Sequence, residues 1–120
     1  MTKHLTLADL RQFTGSESFY RYPLVRRVIL SEGAHYVAAA GEAFWLMDEI
    51  AFRQCDTPAV KAKEFQVWTL TVKPDRSATL TCDNGNRRVV FSQEIPWTDF
   101  PLDQIELWVS NRTIYLPSEH

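Results

Sequence analysis

The chain is poor in the residues that build staples and reactive centres. Its two cysteines, Cys55 and Cys82, form no CxxC pair, and its three histidines, His4, His35 and His120, are scattered near one terminus, beside a turn and at the last position. Such a supply gives neither a disulfide framework nor a zinc ligand set, so no metal site is expected. Only four glycines are present, and none belongs to a P-loop or a dinucleotide fingerprint. We therefore expect no cofactor. GxSxG and HExxH motifs are missing, and neither cysteine has a histidine nearby in sequence, so no catalytic set is predicted. Uncharged stretches fall far short of the roughly 20 residues that a membrane-spanning helix needs. Asp9 and Arg11 interrupt the N-terminal region before a signal-peptide core can develop. A cytoplasmic protein is the expectation. Thirteen basic against fifteen acidic residues leave a formal charge of −2, which creates no strong field of either sign.

What the chain does have is apolar and aromatic mass. Hydrophobic residues make up 45% of its 120 positions and aromatic residues 12%. A chain of this size buries roughly two thirds of its unfolded surface in one core, so residues 1–120 are read as a single domain.

Local signals set the expected elements. Thr6 with Asp9 three residues on forms a capping box for a short helix from Leu7 to Thr14, which Gly15 ends. Leu24 to Leu30 reads as a strand that Ser31-Glu32-Gly33 turns back into His35-Tyr36-Val37. Ala38 to Gln54 reads as the main helix, stopped before Pro58. Trp68, Leu70 and Val72 alternate with Thr69 and Thr71 in a strand from Phe65 to Lys73. Strands around Ala78–Cys82 and Val89–Ile95 follow as a meander through Asn84-Gly85. Ile105–Val109 and Thr113–Leu116 form a last hairpin around Asn111-Arg112. The expected fold is α+β: a largely antiparallel sheet of about seven short strands packed against one main helix plus a short N-terminal helix.

Within the main helix, Asp48 falls between the Phe44 side and a Trp45/Phe52 ridge, inside what reads as an apolar arc. An ionised carboxylate there costs several kcal/mol unless it gains partners, so Asp48 is expected to be a structural buried acid that accepts from indole N–H groups, tyrosine hydroxyls or an arginine. The competing reading is an acid/base centre at Asp48 assisted by His35 or Tyr36.

Two further segments carry binding signals. Tyr20, Arg21 and Tyr22, followed by Arg26 and Arg27, interleave aromatic and basic residues as a single-strand nucleic-acid binder would. The near-neutral net charge and the lack of a reader motif speak against that use. Trp97 and Phe100 stand in a proline-bounded loop, where they either plug the core or anchor a partner.

Phe13-Thr14-Gly15, Trp45-Leu46-Met47-Asp48, Thr98-Asp99-Phe100-Pro101-Leu102 and Leu116-Pro117-Ser118-Glu119, in that order, resemble a family of small bacterial proteins that is a domain of unknown function. The resemblance spans nearly the whole chain, with His120 where the family pattern has an aromatic residue. Members look like accessory proteins of plasmids, phages and other mobile elements, which implies a regulator or inhibitor of host machinery. The expected function is a non-enzymatic protein-binding module, an anti-CRISPR-like inhibitor among the options, with a protein partner engaged through Tyr20, Arg21, Tyr22, Arg26, Arg27, Trp97 and Phe100. Single-stranded nucleic-acid binding and the Asp48 enzyme are the alternatives.

Overall fold

The computed structural model describes residues 5–13, 19–21 and 28–120. Along the chain these form α1 (Leu7–Arg11), β1 (Phe19–Arg21), β2 (Ile29–Ser31), α2 (Glu32–Ala40), α3 (Phe44–Asp56), α4 (Pro58–Lys61), β3 (Phe65–Val72), β4 (Ala78–Asp83), β5 (Val89–Ile95), β6 (Gln104–Ser110), β7 (Thr113–Tyr115) and a closing 3-10 turn (Pro117–Glu119). One sheet of seven strands runs in the order β1-β2-β7-β6-β3-β4-β5. All its pairings are antiparallel except β2 with β7. The α+β class and the largely antiparallel sheet match expectation, as do the β3-β4-β5 meander and the β6-β7 hairpin.

Two expectations fail, for related reasons. Ser31 does not turn the chain into a hairpin. Its hydroxyl accepts from the Ala34 N–H at 3.1 Å, and with Glu32 in the first turn it starts a helix through Ala38–Ala40, all strong helix formers. His35, Tyr36 and Val37 are therefore helical. The single main helix from Ala38 is instead two helices, because the chain breaks at Gly41-Glu42. Glu42 adopts a left-handed conformation (φ 51°), and a Cβ on Gly41 would lie 2.8 Å from the Val37 carbonyl oxygen. The N-terminal helix keeps its Thr6/Asp9 capping box but ends at Arg11. The Gly15 stop and the start of the Leu24–Leu30 strand lie outside the described residues.

The core lies between the helices and one face of the sheet. Leu46, Met47, Ile50 and Ala51 form the inward stripe of α3, and they meet Trp68, Leu70, Leu80, Leu107, Val109 and Ile114 from alternate strand positions. Burying a side chain of this size stabilises the fold by about 1.5–3 kcal/mol. The opposite sheet face carries hydroxyls such as Thr69, Thr71, Thr79 and Thr81, with an aromatic corner at Phe65, Trp108, Tyr115 and His120.

A polar residue sits on the inward side of β3. Gln66 is 2% exposed, and its amide is saturated. It exchanges reciprocal 2.8 Å hydrogen bonds with the Gln54 amide, donates to the Val60 and Lys63 carbonyls at 3.1 Å, and accepts from the Trp68 indole N–H at 2.9 Å. One side chain thus ties α3, α4 and the α4-β3 connection to the sheet. At the other end, Glu119 accepts from the Ser31 hydroxyl, the Leu116 N–H and the Gly33 N–H in the first turn of α2. A Cβ on Gly33 would stand 2.6 Å from Glu119 Oε1, so a side chain here would have to displace that carboxylate.

Gln66→Leu leaves the Trp68 N–H, two carbonyls and the Gln54 amide without this partner, and is expected to lower unfolding free energy by about 2–3 kcal/mol. In a denaturant double-mutant cycle, Gln54→Leu/Gln66→Leu should cost at least about 1 kcal/mol less than the sum of the single changes.

Candidate functional site

The sheet covers only one side of α3, so the side chains opposite Leu46, Met47, Ile50 and Ala51 point outward. Phe44 and Phe52 are 44% and 38% exposed. Trp45, Asp48 and Glu49 are half-buried between them. Trp97 extends this surface: it is 64% exposed and shares a small hollow with Trp45, Ile95, Thr98 and Asp99. Tyr20 and His35 border the Phe44 end, with the Tyr20 ring stacked on His35 at 3.9 Å and His35 edge-on to Phe44 at 6.1 Å.

The loop that presents Trp97 is held rigidly. Arg76 takes a left-handed backbone conformation (φ 70°), and its carbonyl accepts from the Thr98 N–H at 2.8 Å. Its guanidinium donates to the Thr98 carbonyl at 3.0 Å and to the Phe100 carbonyl at 2.5 Å. Phe100, expected beside Trp97 as a partner anchor, is fully buried at 0% exposure; it plugs the core and cannot meet a partner. The two aromatics of this loop thus divide the roles that the sequence left open for both.

Asp48 also departs from expectation. The α3 stripe that faces the sheet excludes it, so it is half-buried on the outer surface and not sealed inside. Indole N–H groups are accepted by Gln66 from Trp68 and by Glu106 from Trp108. Partial burial among aromatic rings raises the Asp48 carboxyl above the usual carboxylate range by desolvation. Among the described residues, Asp48, His35 and Tyr36 do not contribute to the walls of the main cavities.

Of the aromatic and basic segment, Tyr20 and the backbone of Arg21 are described, on edge strand β1. Tyr22, Arg26 and Arg27 lie outside the described residues. Among the described residues, no group of three or more histidine, cysteine or acidic side chains could hold a metal ion. No described helix is long and apolar enough to cross a membrane.

A second surface was not anticipated from the sequence. A cavity of about 630 Å³ opens between the C-terminal end of α3, α4 and the β6-β7 turn. Gln54, Cys55, Lys61, Lys63, Gln66, Ser110, Asn111 and Arg112 contribute to its wall, with Glu64 as its one carboxylate. Its residues come from four separate stretches, so no local motif announces it. The one legible signal is Gln66, a polar residue in phase with Trp68, Leu70 and Val72. The thiols differ sharply. Cys55 is exposed, whereas burial and the neighbouring Asp83 carboxylate push Cys82 up to about 12.

These features define a small α+β protein with a half-covered sheet, an outward aromatic helix face and a cationic cavity. The chain belongs to the family of unknown function DUF6876, whose model matches residues 4–120. No curated protein and no solved structure matches it.

The raised Asp48 carboxyl fixes a sign. The folded state holds this proton more tightly than the unfolded chain, whose carboxyl titrates near 3.8. Ionised Asp48 therefore opposes folding, and its cost is absent below that pH and appears as pH rises through the raised value. Asp48→Asn should melt above the parent at pH 7, and the gap should close near pH 3. Melting curves of both proteins across that range check this, and a parent that is the more stable at neutral pH would contradict it.

Proposed function

We propose that this protein is a non-enzymatic binding module that docks on a larger protein through the outer face of α3 and the Trp97 loop. The observation that carries the reading is Trp97, exposed on a loop fixed by Arg76 and by the buried Phe100. A rigid, exposed tryptophan binds with little loss of conformational freedom, and such residues dominate interface energetics. Singly exposed apolar residues are ordinary on protein surfaces. Here Phe44, Trp45, Phe52 and Trp97 flank one helix face.

Charge indicates the kind of partner. Asp48, Glu49 and Asp99 stand among these rings, and the one cation within α3, Arg53, is engaged by Asp56 at 3.4 Å and lies over the Phe91 ring. An aromatic face that carries carboxylates suits a protein surface presenting arginine or lysine beside apolar groups, with the rings engaging the cations. It does not suit a phosphate backbone, which makes single-stranded nucleic acid the weaker reading for this face. Proteins that handle nucleic acid carry basic surfaces of the favoured kind. Together with the resemblance to accessory proteins of mobile elements, this supports a role as a regulator or inhibitor of host machinery, of which an anti-CRISPR is one form.

The test is capture from bacterial lysate with the parent protein, Trp97→Ala and Phe44→Ala/Trp97→Ala run side by side. Retained proteins should have basic surfaces, should be lost with either variant while its melting temperature stays within a few degrees of the parent, and should elute as salt is raised. Nothing retained, or equal retention by the double variant, would refute the reading.

A further inference from the structure

The cavity beside the β6-β7 turn lies on residues that the docking face does not use. Lys61, Lys63 and Arg112 bring three cations to its wall against the single carboxylate of Glu64. Other described cations differ: Arg53 pairs with Asp56, Lys73 with Glu94 and Arg76 with backbone carbonyls, while Arg11, Arg87 and Arg88 are exposed and do not line this cavity. Lys61, Lys63 and Arg112 make no side-chain hydrogen bond or ion pair among the described residues. A concave surface lined by unmatched charge of one sign focuses its field into the cavity and raises the local concentration of counter-ions.

The turn that carries Arg112 adds a second observation. Asn111 and Arg112 both have positive φ, 51° and 59°, which makes this a two-residue hairpin turn of the kind that favours Asn-Gly. Asparagine tolerates its position well. Arginine in the second place costs about 1 kcal/mol relative to glycine. The chain keeps a long cation at a strained position where glycine is the cheaper choice, and that cation reaches no partner within the described structure.

We infer that this cavity binds a small phosphate-bearing ligand. Its volume of about 630 Å³ falls in the range typical of small-molecule sites. Three cations exceed what one carboxylate needs but match a multiply charged phosphate, which arginine engages through paired N–H donors. Ser110 and Asn111 add hydroxyl and amide groups suited to a polar body. Among the described residues no aromatic ring lines the cavity to stack on a nucleobase. The ligand class is a compact, hydroxyl-rich phosphate ester. The saturated Gln54–Gln66 amide pair forms a fixed part of the wall.

Cys55 supplies a built-in reporter, because it lines the cavity and the chain's other thiol, Cys82, is buried and held protonated. Alkylation by neutral iodoacetamide at pH 8, followed by intact mass, should modify the folded protein once. Pyrophosphate and ribose 5-phosphate should each slow that reaction saturably, by at least about fivefold, because a bound anion both blocks the thiol and disfavours its thiolate. Sodium chloride at matched ionic strength should not. Lys61→Gln/Lys63→Gln should lose the protection. Arg112→Gly should lose it too while raising the melting temperature of the ligand-free protein, so loss of binding is separated from loss of fold. Absence of protection at millimolar ligand, equal protection by chloride, protection unchanged in these variants, or protection by a single-stranded oligonucleotide but by neither small phosphate would each overturn the inference. Because the readout does not involve Phe44 or Trp97, its failure is independent of the docking reading.

Discussion

The arrangement of helices on this sheet depends on one buried amide. Gln66 occupies an inward strand position, where an unsatisfied polar group costs a few kcal/mol, and it is tolerated because every donor and acceptor on it finds a partner. Each of those partners belongs to a different segment: Gln54 on α3, Val60 on α4, Lys63 on the connection to the sheet, and Trp68 two residues along the strand. Apolar packing alone would let α3 slide along the sheet at small cost. A directional network with several fixed partners does not, so Gln66 sets where the C-terminal end of α3 lies relative to β3 and β6. The wall of the cationic cavity follows from that placement.

The same docking of α3 decides what is left outside. With Leu46, Met47, Ile50 and Ala51 turned to the sheet, Trp45, Asp48 and Phe52 have no second layer over them among the described residues. A two-layer α+β domain buries one face of each helix, and an α3 with apolar residues on both faces has more apolar surface than its own fold can use. Trp97 is added to that surplus by a loop that spends its other aromatic, Phe100, on the core. The acid in the middle, Asp48, is desolvated by its aromatic neighbours without being sealed, which is why its carboxyl is raised but not silenced.

Much of this was legible in the residues. Period-two alternation located β3, β4 and β5, and Thr6 with Asp9 marked the start of α1. The class of fold and the final hairpin followed. Errors arose where a residue had two physical uses. Ser31 can turn a chain or cap a helix, and Ala38–Ala40 downstream decided for the helix. Gly41 reads as tolerable inside a helix until close approach to Val37 and a left-handed Glu42 make it a break. Asp48 reads as buried because it falls inside the apolar arc of the helix, whereas coverage is a property of the neighbouring layer. The cavity was illegible for a different reason: Cys55, Lys61, Lys63 and Arg112 are brought together only by the pairing of β3 with β6, and single-residue spacing carries no trace of it.

Three arginines, Arg76, Arg87 and Arg112, adopt the left-handed conformation, and the first and last of them show two different uses of backbone strain. At Arg76 the reason is visible within the fold: a φ of 70° directs the guanidinium to the Thr98 and Phe100 carbonyls, and the energy of those charge-assisted bonds, about 1.5–3 kcal/mol each, exceeds the conformational cost. Arg112 carries similar strain at 59° with no such return from its side chain. Its backbone carbonyl does accept from Ile29 at the start of β2, but a glycine would offer the same carbonyl at lower cost. A strained cation whose guanidinium meets no partner among the described residues, beside two further unmatched lysines on a concave wall, is accounted for by a negatively charged molecule that arrives from outside.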